Sequence, residues 1–408
     1  MKLAYFVHDL TDPAVARRVR MLKAGGAEPV VLGFRREAQA PETVAGAPAI
    51  DLGRTYDGRM LQRAAMTAVN AAGAARLKKH LDGVTVIVAR TLEMLAVAQA
   101  ARALAGSKAR LVYECLDIHR LMLGAGAKSR AMRAAERALM RRADLLAVSS
   151  PAFLEAYFKP VQGVGREIAI PTLLIENKVL ELEPQDVLVE AAPPAGPPWR
   201  VAWMGAIRCG RSLDILTDLA ARRPDLIEVL IHGRPAYTEF ADFDAQVAAV
   251  PNVRFGGAYG ADALPALYGQ AHFAWAIDFM EEGLNSAWLL PNRLYEASRH
   301  GAVPIALADV QTGRYLADHG FGVRLQAAQD LEGVLEAMTP QRYATLRREV
   351  SQIPIGAFVA DAQDCRALVA ALAGDSPADA TSSDPAAEAR KPSAKGLPRS
   401  ERIQGEAV

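Results

Sequence analysis

Short apolar runs separated by amphipathic stretches set the pattern of this chain. Residues 2–7 form one such run, continuous as in a strand covered on both faces, and they give way to the polar loop His8-Asp9-Leu10-Thr11-Asp12-Pro13. A helical pattern over 14–24 stops at Gly25-Gly26, and Pro29-Val30-Val31-Leu32-Gly33-Phe34 returns as a second strand. Strand, helix, strand is a βαβ unit, which predicts a parallel sheet with ligands beyond the carboxyl ends of its strands. His8, Asp9 and Asp12 then stand at the mouth of a site, with a helix cap before Pro13 as the competing role for Asp12. Further strands are predicted over 84–89, 110–114, 144–151 and 168–171. The second of these runs into a polar cluster, Cys115-Leu116-Asp117-Ile118-His119-Arg120, at a strand's carboxyl end.

The pattern breaks at 191–199, where Ala191-Ala192-Pro193-Pro194-Ala195-Gly196-Pro197-Pro198 is too rich in proline for an element and reads as a linker. A second α/β series follows. The apolar strand 200–204 leads into Gly205-Ala206-Ile207-Arg208-Cys209-Gly210-Arg211-Ser212 and then a helix to about Ala221. A glycine-bearing turn with two arginines before a helix suits a diphosphate, since backbone N–H groups attract the anion and guanidinium forks grip its oxygens. Strands are predicted at 228–233, 253–257, 273–278 and 320–325, with a short helix over 261–270 and a loop over 279–286. Between them lies Pro291-Asn292-Arg293-Leu294-Tyr295-Glu296, a helix start, followed by a glycine stop at Gly301 and the buried strand Ala302 to Leu307. Asn292 and Glu296 are four residues apart and share one face of that helix, with Asn292 expected to cap it. Residues 329–338 and 340–371 read as mainly helical, and from 374 the composition of Ala, Ser, Pro, Asp and Lys predicts a disordered tail.

Length and composition narrow the function. The chain has 408 residues, more than one typical domain, so the pattern divides into a first domain over 1–190, the linker 191–199, a second domain over 200–345 and a helical segment over 346–373. A net charge of +1 argues against a nucleic-acid binder. Three scattered cysteines, Cys115, Cys209 and Cys365, suggest neither a disulfide framework nor a zinc site and point to a reducing cytoplasm. The first apolar run is too short for a signal peptide, and no uncharged run is long enough to span a bilayer. Without G-x-G-x-x-G after the first strand, nicotinamide and flavin chemistry loses its main sequence support. Two helical stretches, 59–81 and 128–142, are strongly basic; they fit either a solvated face or peripheral contact with anionic lipid.

Two domains, a cradle at the start of the second and the helix at 291–301 together resemble a GT-B glycosyltransferase, an α/β fold of two Rossmann-like domains facing across a cleft. The likeness is to the large retaining GT4-like group. Gly205 through Ser212 is similar to that group's G-x-I/L-R-x-x-K-G turn with Arg211 for lysine, and Pro291 through Pro304 to P-N-K-L-F/Y-E-Y-x-x-x-G-x-P-V with Arg293 for lysine and Ala297 for tyrosine. The first domain matches loosely, through Asp12-Pro13 to Arg17-Arg18, Ala143-Asp144 to Ser149, and Asn177. The resemblance implies that Gly205, Arg208 and Arg211 hold a nucleotide sugar's diphosphate, that Asn292 and Arg293 lie beside the phosphates, and that Glu296 accepts hydrogen bonds from the ribose. The group often has another glutamate eight residues before the last, but here that position is Trp288, and Glu281 or Glu282 are the candidates to replace it.

Such an enzyme would move a hexose, with UDP as the expected nucleotide, to a saccharide acceptor, expected to be lipid-linked, at the inner face of a membrane in polysaccharide synthesis. Leaving-group charge would fall to arginines and helix N-termini, with no metal or other cofactor needed. Asp242-Phe243-Asp244 spells D-x-D but lacks the context of a metal site. Retention would proceed by front-face attack of the acceptor hydroxyl. Asp117 and His119 are the candidate catalytic groups for acceptor orientation or proton handling, against a turn-capping aspartate and a packed histidine. An epimerase of nucleotide sugars on the same fold, or a binding scaffold that keeps the nucleotide pocket, are the alternatives.

Overall fold

The computed structural model describes residues 1–56, 59–183 and 193–375. Positions 191–192 of the expected linker and the expected tail beyond Asp375 lie outside the described residues.

The first half builds one sheet from β1 (Lys2–Val7), β2 (Glu28–Arg35), β3 (Thr43–Val44), β4 (Ala47–Arg54), β5 (Val86–Arg90), β6 (Arg110–Cys115), β7 (Leu145–Val148) and β8 (Thr172–Leu174). Their order is β3-β4-β2-β1-β5-β6-β7-β8, parallel except for the small β3–β4 hairpin. Helix α1 (Pro13–Ala24) covers one face. The other carries α2 (Met60–Ala72), α3 (Leu92–Leu104) and α4 (Ala127–Met140), packed over a separate cluster. Covered on both sides, β1, β5 and β6 are buried nearly end to end, which is why they read as unbroken apolar runs.

Two expectations shift here. The strand placed at 168–171 forms at Thr172–Leu174 instead; Pro171, which has no N–H to donate, precedes it, and Val164 and Ile168 make only an isolated bridge. The basic helix over 59–81 is two pieces, α2 and a 3-10 segment over Ala74–His80, divided at Gly73.

Residues 193–198 carry no regular element, and Trp199, placed in the linker by composition, is already the first residue of β10 (Trp199–Ile207). The short β9 (Val179–Leu180) precedes this segment. The second sheet is parallel throughout, in the order β12-β11-β10-β13-β14-β15, with β11 (Ile227–Pro235), β12 (Val253–Phe255), β13 (Phe273–Trp275), β14 (Val303–Leu307) and β15 (Val323–Leu325). Trp199, Trp203 and Trp275 are fully buried in its core. Strand β10 runs three residues past the expected end, so Gly205, Ala206 and Ile207 belong to it and the turn is only Arg208-Cys209 before α5 (Gly210–Arg222).

The segment expected to be helical over 346–373 is broken. A helix over Pro340–Gln352 ends before Pro354, a 3-10 turn follows, and β16 (Val359–Ala360) pairs in parallel with β9. The chain then finishes as a helix over Ala362–Ala373, capped by Asp361 and lying not on the second sheet but on α1 of the first half. The contact is close: a Cβ at Gly25 would stand 2.2 Å from the Cys365 carbonyl oxygen. With this return, the carboxyl ends of the two sheets face each other across a cleft, spanned by bonds such as Arg17 to Asn292.

Candidate active site

At the carboxyl end of β10, two glycines make room for the cradle. Gly205 has φ +104° and its register partner Gly233 has φ +145°, a region side chains rarely enter. A Cβ at Gly233 would lie 1.8 Å from the Gly205 carbonyl oxygen, so the two strand ends approach as closely as bare backbone allows. The turn then hands over to α5 through Cys209, whose Sγ accepts from the backbone N–H of Ser212 at 3.4 Å and of Phe279 at 3.3 Å. One thiol thus fixes both the helix start and the loop after β13.

Arg208 of the turn and Arg211 of the first turn of α5 are held by carboxylates of that loop. Arg208 Nε lies 3.5 Å from Asp278 Oδ2. Arg211 donates to Glu282 Oε2 at 2.5 Å and stacks its guanidinium 4.2 Å over the Phe279 ring. Arg211 and Glu282 are both half-exposed, so an anionic ligand competes with Glu282 at little cost. Glu282 is therefore the partner of an arginine here.

The helix expected to begin the second motif is α6 (Asn292–Arg299). Pro291, in extended conformation, is the residue before its first turn, and no side chain caps it, contrary to the role expected of Asn292. Asn292 sits one position too far in; its Oδ1 accepts from Arg17 Nη2 of the first half at 3.4 Å. Arg293 is buried, 3.7 Å from Asp278 and 3.5 Å from the Ile277 carbonyl, and its Nε has no hydrogen-bond partner. Burial lowers its proton affinity, so it is a guanidinium short of partners beside Arg208. Glu296 lies one turn on, among Arg17, Arg293 and the buried Tyr268, and burial pushes its carboxyl above the usual range despite both arginines. A carboxylate in that position gains from donors such as sugar hydroxyls.

Across the cleft, Asp117 follows β6 and is exposed. Desolvation by the surrounding protein pushes its carboxyl up, against the pull of Arg208, His119 and the Asn285 amide. The first-half tip is pinned there, because the Ile118 N–H donates to Asn285 Oδ1 at 3.2 Å. Asp117 and Arg208 are thus brought together, as are Asn292, Arg293 and Glu296. His119 stands at the rim, where Nδ1 accepts from the Leu121 N–H at 3.2 Å, and burial and then Arg63 lower its proton affinity. Glu281 joins the Asp117 side, its carboxyl raised by burial and then by Asp117 itself.

Trp288 occupies the position where the resemblance would place a glutamate. Its ring packs with Leu289 on the first half's apolar cluster, and its carbonyl accepts from Ser150 Oγ at 2.5 Å. The side chain is part of the contact between halves. Of the D-x-D residues, Asp242 caps a short helix through the Ala245 N–H and Phe243 is buried.

Sequence reasoning gave no role to Arg17 beyond a loose match. Its guanidinium bonds Asn177 Oδ1 at 3.1 Å and the Asn177 carbonyl at 3.2 Å before reaching Asn292, and burial lowers its proton affinity to about 10. Behind it lies a buried network: Arg18 donates to Glu114 at 2.8 Å, Tyr5 donates to Glu114 at 2.6 Å, and Arg90 donates to Tyr5 at 3.0 Å. Arg90 in turn lies 3.8 Å from Asp12, which also sits 3.7 Å from His8 and fills the helix-cap role weighed for it by accepting from the Ala14 N–H. The signal for this network is present in the sequence: Arg90 ends the apolar strand β5, and Glu114 stands among the apolar residues near the end of β6.

Residues 12–171 match the family described as "Glycosyl transferase 4-like domain". A curated relative, succinoglycan biosynthesis protein ExoL of Rhizobium meliloti strain 1021, is 46% identical over 380 residues, 91% of this chain and 93% of that protein. Among solved structures, Anabaena HepE in complex with UDP superimposes with a TM-score of 0.66 at 17% identity, over 92% of this chain and all of that one; the same protein in complex with UDP-glucose gives 0.65. Sucrose-phosphate synthase of Thermosynechococcus elongatus gives 0.66 at 15% identity, over 91% of this chain and 98% of that one. These structural likenesses bear on the fold, which is that of the GT-B glycosyltransferases.

Proposed function

The chain belongs to the glycosyltransferases with a glycosyl transferase 4-like domain, and from that premise we propose that it transfers a hexose from a UDP-sugar to a lipid-linked saccharide in exopolysaccharide assembly. The observation that carries the donor assignment is the convergence of Arg208, Arg293 and Glu296 at the carboxyl ends of one sheet, with Arg17 closing over them from the other. Cationic forks and a carboxylate a helical turn apart suit a diphosphate followed by a ribose. HepE, a structural neighbour, binds UDP and UDP-glucose, which supports uridine as the base. The relative's role in succinoglycan biosynthesis supports a polysaccharide product, and with it action at the inner face of a membrane.

Bond cleavage leaves negative charge on the diphosphate. Arg208, Arg211 and the start of α5 are placed to take it up, so no metal ion need share that task. Asp117, beside Arg208, orients the acceptor hydroxyl, and His119 guards the acceptor side of the rim. The family resemblance favours retention, with the leaving phosphate drawing the acceptor proton. One observation favours inversion as a second reading: the Asp117 carboxyl, with its raised proton affinity, would then serve as the general base that deprotonates the acceptor instead of only orienting it. Incubation with a panel of nucleotide sugars, followed by transfer to membrane-extracted acceptor, tests the donor and acceptor. Thermal stabilisation by UDP-glucose or a related UDP-sugar, and a product whose anomeric proton reports the donor's α configuration, are expected. Binding without turnover on any acceptor would defeat the reading, and a β product would select inversion.

A further inference from the structure

Helix α2 is amphipathic in the wrong sense for a helix that faces water. Its protein-facing side carries Arg63, Thr67 and Asn70 together with Met66: Asn70 is fully buried and donates to the Leu52 and Met66 carbonyls, and Arg63 pairs with Glu93 of α3 at 2.5 Å. Its outward side carries Leu61, Ala64, Ala65, Ala68, Val69 and Ala72, all exposed, with Leu61 at 85% and Val69 at 59% of full exposure. These positions recur at helical spacing and make one stripe. Water gains nothing from such a stripe; an apolar medium does.

The ends of the stripe say which medium. From Arg59 to Leu81 there is no acidic residue, while Arg59, Arg76, Lys78 and Lys79 are exposed. At the head of the helix, the Arg54 and Arg59 guanidiniums both lie over the Tyr56 ring, 4.8 and 5.0 Å from its centroid. An apolar stripe with cations at both ends and an aromatic at its head is the pattern of a helix lying at a lipid headgroup boundary. A second copy of the chain would bring like charges against like, whereas an anionic bilayer neutralises them.

We infer that α2 and the segment Ala74–His80 form a peripheral membrane face that inserts Leu61 and Val69 into the surface of an anionic leaflet. The inference rests on the reading that the acceptor is lipid-linked, and it gives that reading a geometry. Helix α2 starts at the carboxyl ends of the first sheet, where Arg63 is close enough to His119 to lower its proton affinity. Seating α2 on a bilayer therefore sets the acceptor side of the cleft at the lipid surface. The stripe at Ala131, Ala134, Ala135 and Ala138 of α4 is exposed on the same face of the sheet, beside Lys128 and Arg130.

Flotation of the full chain with vesicles of phosphatidylcholine alone, and with three parts in ten of phosphatidylglycerol, tests this without any substrate. Binding to the anionic vesicles at low salt is expected, at least tenfold tighter than to the neutral ones and lost at 0.5 M salt. Lys78→Ala with Lys79→Ala should weaken it roughly twenty-fivefold, at about fivefold per charge. Leu61→Asp with Val69→Asp should abolish it while leaving the unfolding temperature and UDP-sugar binding unchanged. Absence of binding by the wild type, binding indifferent to both double variants, or a solution dimer that Leu61→Asp dissociates would each overturn the membrane face. None of these outcomes touches the transfer reaction, whose failure would appear instead in nucleotide-sugar binding and turnover.

Discussion

Replacing Gly233 by alanine places a methyl 1.8 Å from the Gly205 carbonyl oxygen, where ordinary contact begins at 3.4 Å. Both partners are backbone of a hydrogen-bonded strand pair, so no side chain can turn aside; β10 and β11 must part at the cradle. Overpacking of this kind costs about 1–3 kcal/mol. The φ of +145° adds about 1–3 kcal/mol for a non-glycine residue. Gly205→Ala supplies the control, because φ is +104° there but no atom stands within 4 Å of the added Cβ, leaving only the conformational cost. At about 2–4 °C per kcal/mol for a domain of this size, Gly233→Ala should melt several degrees below Gly205→Ala. The consequence reaches the ligand, since Arg208 lies three residues beyond Gly205 and shifts with the strand end. Thermal unfolding of both variants with UDP titration reads both effects. A Gly233→Ala protein as stable as Gly205→Ala, with wild-type UDP affinity, would refute the account of the cradle.

Glu296→Gln should bind the UDP-sugar more weakly yet be more stable than wild type at neutral pH. Its carboxyl is raised on folding, so its ionised form opposes the fold in full above the folded pKa, and the gain should shrink in denaturant titrations as pH falls through that value and vanish below the unfolded one. Arg208→Ala removes charge-assisted bonds worth about 1.5–3 kcal/mol each, and calorimetry should record a tenfold to hundredfold loss of UDP affinity with the fold intact. Glu114→Gln strands Arg18 and Arg90 in the core and should cost about 3–5 kcal/mol in urea unfolding. Burial pushes the Glu114 carboxyl up, but Arg18 and Arg90 override it and hold it below the usual range. Its contribution is therefore complete above the unfolded value and disappears as pH falls through the folded one, a loss the variant should not show.

What the sequence disclosed follows from which constraints are local. The buried parallel strands were legible because both faces are covered, and the α6 motif because its proline start and glycine stop lie side by side in the chain. The β3–β4 hairpin was not, since Ala47-Pro48-Ala49-Ile50-Asp51-Leu52-Gly53-Arg54 at the sheet margin mixes proline, glycine and charge with too few apolar residues. Strand β16 is two residues paired with a partner about 180 residues earlier, and no periodicity reveals such a pair. At the site, Arg208 and Asp117 are legible from local context alone. Arg17 needed the other half of the molecule, because Asn177 and Asn292 define its position only once folded. The role of Trp288 inverts for the same reason: it looks like a lost carboxylate in the sequence and is a contact between halves in space.

The return of the last helix to α1 has a consequence for synthesis. Cys365, Leu368, Val369 and Leu372 complete the cluster that contains Val15, Val19 and Leu22, so the earliest part of the chain is finished by the latest. About 190 residues separate the end of β8 from Ala362, and at about 5–20 residues per second a ribosome needs about 10–40 s to make them. Throughout that interval the nascent first half carries an open apolar seam along α1. A chain ending at Gln352 keeps the seam for good, and it should be recovered bound to chaperones or aggregated even though every strand of both large sheets is present.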